Sequence, residues 1–286
     1  MNPLTHFKKI PILQLLIALA LVAWAAGTAQ AAISDFNGDG HPDFVLHKAC
    51  PRQTAIWYLN NNVFISGASG PTLVPGWYIL AGVADFNRDG HPDYLLLDSG
   101  ISPDTAIWYL SGRTLVGTAS GPSVPSGWGW EGAADFNGDG HPDYVLYNPG
   151  TRQTAIWYLN NNVYVSGGYG PTLPTAWWVV GVADFNGDGH PDYVLEYVTG
   201  QTAIWYLSGR TLVGGAYGPI LRSGWALAAT ADFNGDGKPD YLLYNPGTQQ
   251  TAIWYLNNNV FISGAYGPTL PVGWSFDDSC DPWGYG

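Results

Sequence analysis

The stretch Asp35–Asp43 reads DFNGDGHPD; it returns at Asp85 as DFNRDGHPD, unchanged at Asp135 and Asp184, and at Asp232 as DFNGDGKPD. The intervals are 50, 50, 49 and 48 residues, a period at which one supersecondary unit is repeated in a propeller or a solenoid. A second block, TAIWYL, follows each loop at Thr54, Thr105, Thr154, Thr202 and Thr251. A third closes each unit: Gly-Pro, an apolar stretch and a tryptophan, as in Gly170-Pro171 to Trp177. Units one, three and five carry LNNNV after TAIWY, whereas units two and four carry LSGRTLV, so the array reads as a duplicated pair. No linker or change of composition interrupts it, and residues 32–286 are read as one domain.

Each unit contains four strand signals. Trp178–Ala183 is a short apolar run that ends at the acidic loop, and Tyr193-Val194-Leu195 restarts directly after it, so the loop joins two antiparallel strands. Thr202–Leu207 sets Thr, Ile and Tyr on one face against Ala, Trp and Leu on the other, the period-2 signature of a strand. Ser208-Gly209 or Asn60-Asn61 tolerates positive φ and predicts a tight hairpin; Val163–Ser166 or Thr211–Val213 then supplies the fourth strand. Four short strands repeated radially predict an all-β propeller of five four-stranded blades. A β-solenoid is the competing architecture, although its coils repeat at shorter periods. Unit one lacks its own tryptophan-led first strand, and the tail Gly273-Trp274-Ser275-Phe276 begins one that no acidic loop follows. The tail is therefore expected to complete the first blade and leave no open edge.

Lys8-Lys9, the apolar run Ile12–Ala26 and Ala29-Gln30-Ala31 have the order of a secretory signal, with cleavage expected after Ala31. The alternative is an uncleaved N-terminal anchor. The reading predicts a secreted protein, extracellular or periplasmic, a monomer with no membrane insertion after cleavage. Cys50 and Cys280 are the two cysteines; in an oxidising compartment they would form a bridge that fastens the ring.

Charged residues make up 11% of the chain against 38 Gly, 14 Trp and 18 Tyr, which fits short strands and tight turns and excludes disorder. The net charge is −12, and 15 of the 22 acidic residues are the three aspartates of each loop. The acidity is thus local. With no basic patch to neutralise phosphates, nucleic acid is excluded as a partner.

Calcium takes six to eight oxygen ligands from a loop able to curl around it. In the first loop Asp35, Asn37, Asp39 and Asp43 offer side-chain oxygens at positions 1, 3, 5 and 9, Gly40 permits the turn, and His41 offers its main-chain carbonyl. The equivalent sets are Asp85, Asn87, Asp89, His91 and Asp93; Asp135, Asn137, Asp139, His141 and Asp143; Asp184, Asn186, Asp188, His190 and Asp192; and Asp232, Asn234, Asp236, Lys238 and Asp240. The exchange of histidine for Lys238 at position 7 argues against ligation through the imidazole ring, and Arg88 in place of glycine implies a free fourth position. Position 12 is Leu46, not glutamate, so the loop is not an EF-hand. Up to five calcium ions are expected. The alternative is that Asp, Asn and Gly merely build tight turns.

DFNGDGHPDYVL followed by TAIWYL, with GAYGP and GASGP segments, resembles the FG-GAP/VCBS repeat family, integrin-α propeller repeats included, over about Ile33–Trp274. The resemblance implies a calcium-binding propeller of the kind used in adhesion, in lectins and beside carbohydrate-active enzymes. The units here are shorter than the integrin ones and number five, so an integrin ligand surface is not implied.

Three functions are compatible with this reading. The first is a binding or adhesion module for a glycan or cell-surface protein. It is motivated by Trp57, Trp108, Trp157, Trp205 and Trp254 in the third strands and by Trp77, Trp128, Trp177, Trp225 and Trp274 before the first. Most of these are expected in the core, while Tyr169, Tyr217 and Tyr266, aligned with Ser69 and Ser120, are expected at the surface as ligand contacts. The second is a structural or interaction propeller that calcium only rigidifies. The third is a polysaccharide lyase or hydrolase. The residues that break the symmetry, His47, Asp98, Asp104, Glu131 and Glu196, form no recognisable acid–base or nucleophile arrangement, so no catalytic residue is expected.

Overall fold

The computed structural model describes residues 33–48, 52–74, 77–98 and 104–276. Within them the chain forms five four-stranded antiparallel sheets, each with its strands in sequence order, and these are the five blades of a β-propeller. Blade one holds β1 (Ile33–Ser34), β2 (Asp43–Lys48), β3 (Gln53–Asn60) and β4 (Val63–Ser69); blade two holds β5 (Trp77–Ala84), β6 (Asp93–Asp98), β7 (Thr105–Ser111) and β8 (Thr114–Ser120). Blade three runs β9 (Gly129–Ala134), β10 (Asp143–Asn148), β11 (Gln153–Asn160) and β12 (Val163–Thr172). Blade four runs β13 (Trp177–Ala183), β14 (Asp192–Tyr197), β15 (Gln201–Ser208) and β16 (Thr211–Ile220), and blade five β17 (Ala226–Ala231), β18 (Asp240–Asn245), β19 (Gln250–Asn257) and β20 (Val260–Thr269).

Burial follows strand position. The second strand is buried along almost its whole length, as in the DYVLYN of β10, because blades cover both of its faces; this is why its sequence is a continuous apolar run rather than an alternation. The fourth strand, on the rim, is exposed. The apolar side chains gather into five clusters, each between two successive blades. One joins Val45 and Ile56 of blade one to Tyr94 and Leu96 of blade two; another joins Phe44 and Leu46 of blade one to Leu242 and Ile253 of blade five. The ring is therefore closed.

Closure takes the form the sequence predicts. β1 contributes two residues, with Ile33 opposite Phe44 and Ser34 opposite Asp43. The missing half of that strand comes from the C-terminal tail: the Ser275 and His47 amides each donate to the other's carbonyl, at 3.0 and 2.9 Å. Phe276 then sets its ring edge-on to Phe44 and to Tyr244, with centroids 5.2 and 5.5 Å away.

Both hairpin sequences solve one conformational problem. Asn61, Asn161 and Asn258 in the NNN version, and Gly112 and Gly209 in the SGR version, stand at equivalent positions with φ between 54 and 57°. Asparagine and glycine are the residues that tolerate this left-handed conformation.

The expectation of core tryptophans is corrected. Trp108 is 5% exposed, whereas Trp57, Trp157, Trp205 and Trp254 are only partly buried. Each of these four lies across a glycine of the fourth strand: a Cβ at Gly264 would meet Trp254 Cδ1 at 2.8 Å. One edge of the indole thus packs on the blade and the other reaches solvent. Cys50 and Cys280, the expected bridge, lie outside the described residues, as does the expected signal segment 1–31. Among the described residues no helix is long and apolar enough to cross a membrane.

Candidate functional site

The acidic loop joins the first and second strands of each blade, and its donors close it on its own amides. Asp35 accepts from Gly38 N and Asp39 N through one carboxylate oxygen and from Gly40 N, at 2.7 Å, through the other. Asn37 accepts from Asp39 N and donates to Asp39 Oδ2, both at 2.9 Å. His41 donates its main-chain N–H to Asp39 Oδ1 at 2.9 Å. Lys238 N does the same to Asp236 Oδ1 in the fifth loop, at 3.0 Å; the seventh residue acts through its backbone, so its side chain can vary. The loops at Asp135, Asp184 and Asp232 repeat the pattern.

The aspartate at position nine has a different place. Asp43 is fully buried; one oxygen accepts from Phe36 N at 2.9 Å and the other from Leu59 N at 3.1 Å, the latter at the end of β3. Asp93, Asp143, Asp192 and Asp240 make the same two bonds. Each ties the loop to the third strand, a role the sequence did not disclose because strand three meets the loop only in the folded blade. Burial pushes all five up to about 6; the two amide bonds oppose this, and the charged groups acting on Asp43 are Asp39 and Asp35, both of its own sign.

As a metal centre the loop fits in donor chemistry: four side-chain oxygen groups and a carbonyl, all hard donors of the kind calcium prefers. Each carboxylate oxygen that accepts one N–H keeps a further lone pair. In placement, no group of three or more His, Cys, Asp or Glu side chains among the described residues converges as a metal cage.

The fourth loop position is less free than the substitution of Arg88 implied. Gly38, Gly138, Gly187 and Gly235 have φ between 73 and 77°, and Arg88 holds φ 62°, a strained conformation for a residue with a Cβ. Its guanidinium reaches the third loop, where Nη1 donates to the Asp139 carbonyl at 3.3 Å and helps to lower the Asp139 pKa, after the backbone bond from His141.

The residues that break the symmetry are distributed over the ring. Asp104 N donates to Asp98 Oδ1 at 3.2 Å, and Ser123 Oγ donates to Asp104 Oδ1. Glu131 stands on β9, its carboxyl raised well above the usual range by burial. Glu196 on β14 is raised to about 7 by burial, which the Leu227 amide of blade five partly offsets. His47 is buried on β2 at the ring seam.

The second candidate feature is aromatic. Tyr169, Tyr217 and Tyr266 are 71, 71 and 68% exposed. Each lies near the tryptophan that opens its own blade: Trp128–Tyr169 at 6.0 Å and 16° between planes, Trp177–Tyr217 at 6.3 Å, and Trp225–Tyr266 at 6.2 Å. On blade five this pair borders a cleft of about 480 Å³, lined also by Trp254, Phe261, Ile220 and Arg222.

A closed ring of blades, each with an acidic strand-to-strand loop, defines a repeat propeller. The chain belongs to the FG-GAP repeat family: the FG-GAP-like repeat model matches residues 35–96, 85–146 and 135–195, and the FG-GAP repeat model matches residues 223–256. No curated protein matches it. Among solved structures it is similar to a protein of unknown function from Bacteroides caccae, at 14% identity over 77% of this chain and 71% of that one, with a TM-score of 0.43. It is also similar to the periplasmic gluconolactonase of Pseudomonas aeruginosa, at 15% identity over 84% of this chain and 69% of that one, TM-score 0.43. A third is the Tc holotoxin pore of Photorhabdus luminescens, at 16% identity over 86% of this chain but 12% of that one, TM-score 0.45.

Proposed function

We propose that the protein is an exported, calcium-loaded propeller that binds carbohydrate on aromatic platforms at the blades. The observation that carries this reading is the recurring pair of a half-buried tryptophan with an exposed tyrosine, Trp128–Tyr169, Trp177–Tyr217 and Trp225–Tyr266. A fixed aromatic face offers the apolar side of a sugar ring a surface that loses little entropy on binding, and repetition around one ring multiplies weak sites into avidity. Calcium is supported by the oxygen-only donor set and by the like charge of the three aspartates in each loop, which a cation would relieve. Binding to a glycan array at millimolar calcium, lost on adding EDTA, is the expected result; silence across a broad array overturns the carbohydrate reading.

A second reading has its own observation. The rim strands expose Val63, Ile65, Val163, Val165, Val213 and Ile262, each more than half accessible, an apolar belt that favours a protein partner over a sugar. In that case calcium only stiffens the blades: EDTA still lowers the melting temperature, while the glycan array stays empty.

A further inference from the structure

We propose that the blade-five cleft is selective for an acidic saccharide, with Arg222 pairing to the sugar carboxylate; this rests on the carbohydrate reading above. Four of the turns that lead into a tryptophan close in the same way, the tryptophan amide donating to the carbonyl three residues back. Trp128 donates to Pro125, Trp177 to Pro174, Trp225 to Arg222 and Trp274 to Pro271, at 3.0 to 3.4 Å. Arg222 therefore stands where the other three turns have proline. Proline presets such a turn, and at this one position the chain has a cation instead. Arg222 is exposed and lines the 480 Å³ cleft beside Trp225, Trp254, Phe261 and Tyr266. No other side chain of that lining is charged. The volume lies within the range of small-molecule sites, about 300–1,000 Å³.

An aromatic wall with a single guanidinium at its edge is complementary to a ligand with an apolar face and one planar anion. A uronate ring has both: C–H groups on one side and a carboxylate that accepts two parallel N–H bonds from arginine. Blades three and four have the Trp–Tyr pair but proline at the Arg222 position, so this turn cation is a feature of blade five among the three paired blades.

The test is calorimetric titration at fixed millimolar calcium with uronate-terminated disaccharides and their carboxyl-reduced counterparts. The acidic sugars are expected to bind at least about tenfold tighter, the scale of one charge-assisted pair. Arg222→Gln should abolish that preference, whereas Tyr266→Ala should weaken both sugars and keep the preference; melting curves for each variant establish that it is folded. Equal affinity for the two sugars, or a preference that survives Arg222→Gln, overturns the proposal and leaves the platform reading standing. Failure of both sugars to bind the unaltered protein overturns the platform reading and the proposal together.

Discussion

Asp143 is a carboxylate sealed from solvent, held by the amides of Phe136 and Leu159 and pushed up to about 6 by burial. Its four counterparts share that environment, and the sign of the effect is fixed. A folded-state pKa above the unfolded value of 3.8 means that the folded protein binds more protons between about pH 4 and 6, so stability falls as pH rises through that window. Asp139 and Asp188, lowered by bonds from His141 N and from Asn186 respectively, act the other way, but below the unfolded pKa. Urea melts in EDTA should therefore show a midpoint that declines from pH 4 to pH 6. Saturating calcium should flatten or reverse that slope, because a nearby cation favours the ionised form; a slope unaffected by calcium would mean that no ion sits near these aspartates. The donors at positions 1, 3 and 5 were legible in the sequence because they are local to the loop. The tie from position nine to strand three was not, since Leu59 lies 16 residues away from Asp43.

The same distinction holds for the elements. Strand alternation and hairpins are local and were readable, while the meaning of the LNNNV and LSGRTLV alternation lies between blades. Asn162 Nδ2 donates to the Ser120 carbonyl and Asn259 Nδ2 to the Tyr217 carbonyl, at 2.8 and 2.9 Å, each reaching back to the rim strand of the preceding blade. Tyr109 and Tyr206 hydroxyls, from those preceding blades, donate forward to Asn161 and Asn258, both at 2.7 Å. The NNN hairpin is thus a clamp on the blade before it. At the seam Asn62 performs both tasks, binding the Tyr266 carbonyl at 2.9 Å and Tyr255 Oη at 3.5 Å. The Gly-Pro block has a cause within its blade and one between blades: a Cβ at Gly121 would lie 2.2 Å from Thr105 Oγ1 of its own blade and 3.3 Å from the Tyr144 hydroxyl of the next. Thr105 is buried and donates to the Pro122 carbonyl at 2.9 Å, so it cannot turn aside cheaply. Gly121→Ala should destabilise by about 1–3 kcal/mol or more. Gly117→Ala, whose Cβ would meet Tyr109 at an ordinary 3.4 Å, should stay within about 1 kcal/mol, and paired urea melts separate the two.

At the scale of the molecule, the blades are similar units that bury their faces only against neighbours, so the ring is as stable as its seam. Four of the five clusters are joined by continuous chain, whereas the fifth joins the first blade to the last and depends on the tail. Phe276 is 6% exposed there, packed on Phe44 and Tyr244. Ser275 supplies the one described backbone pairing between the tail and blade one. Five interfaces make the protein cooperative only while all five are closed; opening one turns the ring into a linear array that frays from its ends. Phe276→Ala should cost about 3–5 kcal/mol, the range for a buried phenylalanine, and should broaden the calorimetric transition as well as lower it. Hydrogen exchange should show where the loss falls, with amides of β2 and β18 losing protection before those of β10, which lies opposite the seam. A loss below about 1 kcal/mol with uniform exchange would mean that blade one packs on blade five without help from Phe276, and that the tail rests on a ring already closed without it.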